Sequence, residues 1–146
     1  MATKSSISQL NSFLRGEISA VETYRMALEK LDYTSPLRAE IEANLSSHQD
    51  RVVMLGDAIL RLGGEPATSS GPWGVFAKAV EGTARTMGDK MTINALEEGE
   101  DHGVADYRRG IDDLDTESRM LVTGQLLPQQ QQTHNRMSAL KHRMPS

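Results

Sequence analysis

The sequence predicts an all-α fold: a four-helix bundle in which one long crossover, carrying a short extra helix, joins the second and third main helices. Three observations predict it. Met, Leu, Ala, Gln and Glu are plentiful and β-branched residues sparse, a balance that favours helix over strand. Four long segments carry apolar residues at three/four spacing. The gap between the second and third of them is about 26 residues, where a simple helical hairpin needs only about 2–8. At 146 residues, 38% of them apolar, residues 1–146 can bury a real core as one domain.

The first helix begins at Ser6, where Ser6-x-x-Gln9 reads as a capping box. Its stripe is Ile7, Leu10, Leu14, Val21, Leu28 and Leu31. The second opens with Ser35-Pro36, a capping serine before a proline at the first helical position. It carries Ile41, Leu45, Val52, Leu55, Ile59 and Leu62 and stops at Gly63-Gly64. These two helices make a hairpin over 1–62. The crossover covers 63–88: a Gly/Pro/Ser-rich loop over 63–72, then a short apolar segment from Trp73 to Met87. Trp73 and Phe76 are expected to staple it to the bundle.

Gly88-Asp89 reads as a stop and a new cap. The third helix spans 90–114, with Ile93, Leu96, Tyr107, Ile111 and Leu114 on one face. The fourth runs from Thr116 to His142, closing a second hairpin over 89–142. Pro128 inside it should kink it or remove one backbone hydrogen bond. Leu121, Leu127 and Met137 continue its stripe on both sides. A single helix over 73–115 would be about 64 Å long and outrun partners of roughly 37 Å, which favours the crossover. Met87, Met91, Met120 and Met137 read as core fillers.

Composition excludes several function classes. There are no cysteines, hence no disulfides, thiolate metal sites or thiol nucleophiles. The net charge of −4 is scattered along the chain, which argues against a nucleic-acid partner. No apolar run approaches the length of a membrane span, and Met1–Ser8 lacks an apolar signal core, so a cytoplasmic location is expected. No phosphate loop, nucleotide fingerprint or Ser-His-Asp pattern is present, and no catalytic residue is assigned.

One string occurs twice. Gly16-Glu17-x-x-x-Val21-x-x-Tyr24-Arg25 in the first helix matches Gly99-Glu100-x-x-x-Val104-x-x-Tyr107-Arg108 in the third, with a small residue (Ala20, Gly103) in the same place. Each string is followed in the next helix by one histidine, His48 and His134. Glu and Tyr lie two turns apart on one stripe, bordered by apolar residues, so Glu17 and Glu100 are expected to point inward. His48 sits on the seam Leu45–Val52–Leu55, and His134 lies between Leu127 and Met137. Four ionisable groups from four helices would converge in the core. Burying a bare carboxylate costs several kcal/mol, so such groups must be paired, protonated or cation-bound. Two glutamates and two histidines form a reasonable ligand set for a divalent metal. Arg25 and Arg108 are either partners of these glutamates or surface residues. His102 and His142 read as solvated, and Gln129–Gln132 as a polar run facing solvent or a partner helix.

These residues resemble the ferritin–rubrerythrin superfamily, whose first helix carries Gly-Glu followed two turns later by Tyr. The superfamily takes one Glu from each of helices one and three, matched by Glu17 and Glu100, and Glu-x-x-His from each of helices two and four. His48 and His134 match the histidines. Leu45 and Gln131 stand where the preceding glutamates would be. The resemblance therefore implies a reduced Glu/His site for iron, manganese or zinc, with Glu97, one turn before Glu100, as an added carboxylate, and with redox or stress-related duty. Tyr24, Tyr107 and Gln131 would support the ligands by hydrogen bonds. A full di-iron centre, and an oxygen-activating enzyme built on it, has too few carboxylates here. The alternative is a metal-free structural or interaction bundle with a vestigial site, its acids and imidazoles hydrogen-bonded to Tyr24, Tyr107 and Gln131. The chain is similar, too, to small bacterial ferritin-like proteins of unknown function, through Glu97, Glu98, Glu100, Asp101 and Tyr107 and through Gln125 and His134. By analogy, such relatives imply a homodimer or larger oligomer.

Overall fold

A computed structural model describes residues 2–81 and 88–144. Helix α1 (Ala2–Lys30) and α2 (Arg38–Arg61) form the first hairpin. A 3-10 turn (Gly71–Gly74) and α3 (Val75–Glu81) lie in the crossover. Helix α4 (Gly88–Gly110) leads through a second 3-10 turn (Ile111–Asp113) to α5 (Thr116–Leu121), a π turn (Val122–Leu126) and α6 (Leu127–Arg143). The last three run on as one helical rod. This is the four-helix bundle with a crossover that the spacing predicts. Among the described residues no helix is long and apolar enough to cross a membrane.

Local chemistry explains the ends. Gly63 sits at φ +83, and the Gly64 N–H bonds back to Ile59 O at 3.0 Å, a Schellman-type stop that only glycine enters without strain. Helix α1 starts earlier than its capping-box signal. Ser6 lies inside it, and its hydroxyl accepts from the Asp115 N–H at 2.6 Å, so the serine holds the turn into α5 rather than its own helix. Ser35 accepts from the Leu37 N–H and shapes the turn before α2, which starts a few residues later than Ser35-Pro36 implies.

The loop over 63–70 is tied to α1 through Asn11, which donates to Glu65 O and accepts from Ala67 N–H. Ser19 donates to Trp73 O at 2.6 Å, and half-buried Trp73 rests against the α1/α4 face. The side chain of Phe76 and all of Met87 lie outside the described residues. Met137 is a core filler as expected, but Met91 and Met120 are 44% and 67% exposed. Each stands on the outer side of its helix; the buried positions near them are Thr92, Ile93, Ser118 and Val122.

Two apolar layers fill the bundle. One gathers Leu10, Leu14, Leu55, Ile59, Val122 and Leu126; the other gathers Ala27, Ile41, Ile93, Leu96, Met137 and Leu140. Along every main helix the residues between these layers are polar and buried: Glu17, Asn44, His48, Arg51, Glu100, Gln130 and Thr133. The bundle thus places a polar layer in mid-core, sealed by apolar packing above and below.

The π turn sets the register of the last helix. Pro128 has no N–H, and its ring would clash with the carbonyl of Gly124 in a regular helix. The chain widens instead, and the Leu127 N–H reaches back to Val122 O. The extra residue in that turn rotates the remainder of the helix about its axis. Downstream the inward stripe is Leu126, Gln130, Thr133, Met137 and Leu140, not Leu127, Gln131 and His134.

Candidate functional site

The duplicated string builds a reciprocal pair of hydrogen bonds across α1 and α4. Tyr24 of α1 donates to Glu100 Oε2 of α4 at 2.6 Å, and Tyr107 of α4 donates to Glu17 Oε2 of α1. The helices run antiparallel, so the two-turn spacing of Glu and Tyr in each brings every tyrosine level with the other helix's glutamate. Glu17 and Glu100 are 3% and 2% exposed.

His48 of α2 bridges the two carboxylates. Its Nδ1 lies 2.5 Å from Glu17 Oε1 and its Nε2 lies 2.7 Å from Glu100 Oε2. A neutral imidazole donates from one nitrogen only, so two carboxylate partners call for an imidazolium. One turn further along α2, Arg51 is completely buried. Its Nη1 stands 3.3 Å from Glu17 Oε2 and also donates to Gln130 Oε1, while Nη2 donates to Thr133 Oγ1 at 3.0 Å. Nη2 approaches His48 Nε2 to 3.3 Å, a like-charge contact set between the two acids. Helix α6 completes the shell. Gln130 Nε2 donates to Glu100 Oε1 at 2.9 Å and Thr133 Oγ1 donates to the same oxygen at 2.6 Å. Gln130 also lies across Gly103, where a Cβ would collide with its amide; the small residue of the repeat is what admits it. Asn44 donates to Tyr24 Oη and to Thr133 O, and accepts from Arg136.

Burial pushes the Glu17 carboxyl up, yet the charges of Arg51 and His48 outweigh it and hold it below the ordinary range. Glu100 behaves alike, with His48 as the main opposing charge. Burial pushes His48 down, but Glu100 and Glu17 lift it above its ordinary value. Burial and the neighbouring carboxylates raise both tyrosines well above theirs. The layer therefore holds two carboxylates against one guanidinium and one imidazolium, and its formal charges cancel. At about 3.3 Å and an effective dielectric near 20, one such pair gains about 5 kcal/mol. Desolvation takes back several kcal/mol per ion, so the cluster adds little net stability, while removing one member costs about 3–5 kcal/mol.

Of the expected ligands the structure brings together Glu17, His48 and Glu100, with Tyr24 and Tyr107 beside them. It does not bring in the other three. His134 stands on the flank of the bundle, 2.5 Å from Asp101 Oδ1. Glu97 pairs with Lys141 at 2.9 Å. Gln131 faces outward near Arg108, because the π turn shifts the inward face by one residue. Arg25 and Arg108 are both exposed; the arginine that meets the glutamates is Arg51. Sequence reasoning missed Arg51, Gln130, Thr133 and Asn44. On α2 a signal existed: Ile41, Asn44, His48, Arg51, Leu55 and Ala58 form one unbroken three/four series. The polar members were hidden because the stripe was traced through Leu45 and Val52, which are only half-buried.

The donor set does not match a di-iron carboxylate centre. The inward pairs of α2 and α6 at the level of the glutamates are His48-x-x-Arg51 and Gln130-x-x-Thr133, where such centres take Glu-x-x-His from both helices. Neither pair supplies a carboxylate, and a guanidinium cannot lose its proton to become a ligand. Among the described residues no three acidic or imidazole groups surround a common centre that would hold a metal ion; His48 spends one ring nitrogen on each acid.

Comparison with known proteins agrees with this architecture. A solved structure titled as ferritin-like, diiron-carboxylate proteins from Bacillus anthracis str. Ames superposes with a TM-score of 0.77 at 18% identity, covering 97% of this chain and 98% of that one. At that identity the likeness establishes the fold. No curated protein matches the chain. A family profile described as a domain of unknown function (DUF2383) matches residues 5–113, and the chain, a ferritin-like four-helix bundle, belongs to that family.

Proposed function

We propose that this protein is a metal-independent ferritin-like bundle, in which Arg51 and His48 supply the positive charge that holds the acidic pair, and that it acts by binding rather than by oxygen chemistry. The observation that carries this reading is the Arg51 guanidinium, fully buried and set against Glu17, His48, Gln130 and Thr133. An internal cation already offsets what a metal would offset. The test is thermal unfolding of protein purified without chelator, with and without EDTA, Fe(II), Mn(II) or Zn(II). Ligands that bind only the native state raise its melting temperature. The expected result is no response; a rise of several degrees with any metal rejects the reading.

A second reading is favoured by the convergence of Glu17, His48 and Glu100 in the core, and by the naming of the similar B. anthracis structure as diiron-carboxylate proteins. In it a single divalent ion (iron, manganese or zinc) takes these three residues as ligands after Arg51 withdraws, and a redox role follows. Elemental analysis decides between the two: stoichiometric metal in the wild type, lost in Glu17→Ala, would establish this second reading.

A further inference from the structure

The polar layer leaves part of the space between α1 and α4 unfilled. Gly16 and Gly99 precede the two glutamates, and Ala20 and Gly103 follow them by about one turn. A cavity of about 60 Å³ enters between the helices there. At about 10–15 Å³ for each water-sized group, it has room for about four to six non-hydrogen atoms. Phe13, Leu96 and the rings of Tyr24, Tyr107 and Trp73 give it a largely apolar wall. Gly16 belongs to that wall, and a Cβ added to it would meet nothing within 4 Å.

Charge and hydrogen bonding narrow what fits. Each acid that borders the cavity is matched by a cation: Glu17 by Arg51 and His48, Glu100 by His48, and Asp106 by Arg109. An ion of either sign would shed its water there and find no unmatched charge in return. The donors around the glutamates are spent as well. Tyr24, Tyr107, His48 and Gln130 all direct theirs to Glu17 or Glu100, and Ser19 and Thr23 donate to backbone carbonyls. Acceptor capacity remains. Among the described residues Glu17 Oε1 takes one hydrogen bond, from His48, and a carboxylate oxygen has room for a second. A molecule with an apolar body and one O–H of its own meets these conditions; a molecule that can only accept would leave its oxygen unpaired.

We propose that this cavity binds a small neutral alcohol, its hydroxyl donating to Glu17 Oε1 and its alkyl chain lying against the aromatic rings. The proposal rests on the reading that Arg51 and His48, rather than a metal, hold the acidic pair, because a bound metal would take up the spare acceptor.

Trp73, the single tryptophan of the chain, borders the cavity and reports on it. Its emission is followed during titration with 1-butanol and with diethyl ether, an isomer of the same size that has no O–H. Butylammonium chloride and sodium butyrate, at matched ionic strength, test the two signs of charge. The expected result is a saturable change with 1-butanol, half-complete at a concentration on the order of 1 mM. The ether should bind about tenfold more weakly, for want of a donor to the carboxylate, and neither ion should give a saturable change. Gly16→Leu, which puts a side chain into the cavity, should abolish the response to 1-butanol while helical content and melting temperature persist; Ala20→Val stands in if the leucine variant does not fold. No saturable change with 1-butanol means that the cavity holds water alone, and it overturns the proposal. So does an equal affinity for the ether or for either ion, or wild-type affinity in the folded variant. Melting curves with Mn(II) and Zn(II) run in parallel. A silent titration without metal response removes this inference alone, whereas a metal-induced rise removes the reading beneath it.

Discussion

Helices α1 and α4 are symmetric across the core, and helices α2 and α6 are not. The first pair carries the same Glu and Tyr at the same spacing, and the hydrogen bonds between them are reciprocal. The second pair occupies equivalent places around the same carboxylates with different chemistry. Helix α2 contributes an imidazole and a guanidinium; α6 contributes an amide and a hydroxyl. The difference teaches where the charge of this core is decided. Two buried acids need compensation from somewhere, and all of it comes from one turn of α2. Helix α6 only satisfies lone pairs. A symmetric site would divide the compensation between the hairpins; this one concentrates it in His48 and Arg51.

The comparison is broken most directly at Arg51. Arg51→Met keeps much of the volume and removes the guanidinium, leaving Glu17 and Glu100 facing one imidazolium. The expected loss is about 3–5 kcal/mol in urea unfolding. Gln130→Ala on the opposite helix removes a neutral donor to Glu100 and should cost about 1–3 kcal/mol. Equal losses from the two would mean that charge compensation is shared after all.

The same asymmetry gives stability a dome-shaped dependence on pH. Glu17 and Glu100 titrate below their ordinary value of 4.5 in the folded chain. Their contribution is complete above that value and lost as pH falls through the lowered folded values. His48 titrates above its ordinary 6.5, so its contribution is complete below 6.5 and lost as pH rises through the raised folded value. The cluster should contribute most between about 4.5 and 6.5, read as the urea midpoint across pH. His48→Gln should flatten the alkaline limb and leave an acid limb. An alkaline limb unchanged in that variant would assign the titration elsewhere.

How much of this was legible in the sequence depended on which physical rule was needed. The bundle and crossover follow from apolar spacing and from the punctuation at Gly63-Gly64. The inward glutamates follow from a duplicated string with apolar borders, and the tyrosines follow from the same stripe. Helices α2 and α6 were harder to read. On α2 the polar members Asn44, His48 and Arg51 continue the apolar series, but long charged residues rarely sit fully buried, so a stripe traced through apolar residues alone passes beside Arg51. On α6 the obstacle was register. A proline announces a local break but not whether the chain kinks or inserts a residue. The π turn inserted one, and Thr133 took the inward place expected of His134. His134 instead makes a partly exposed pair with Asp101, of the kind that contributes about 0–1 kcal/mol.

The reciprocal tyrosines give the sharpest test of what stayed symmetric. Tyr24→Phe and Tyr107→Phe each delete one donor to a buried carboxylate, a loss of about 1.5–3 kcal/mol. The two should differ by less than about 1 kcal/mol, with Tyr24→Phe the costlier. Its hydroxyl also accepts from Asn44 Nδ2, and that amide hydrogen would lose its partner, although Asn44 keeps its bond to Thr133 O. Tyr107 packs against Phe13 with the rings tilted and 4.7 Å between centroids, a contact that phenylalanine preserves. Urea midpoints of the two variants measure the difference. A full loss from one tyrosine with a neutral result from the other would show that α1 and α4 have diverged as far as α2 and α6, and that the repeated string is a relic of sequence without a repeated energetic role.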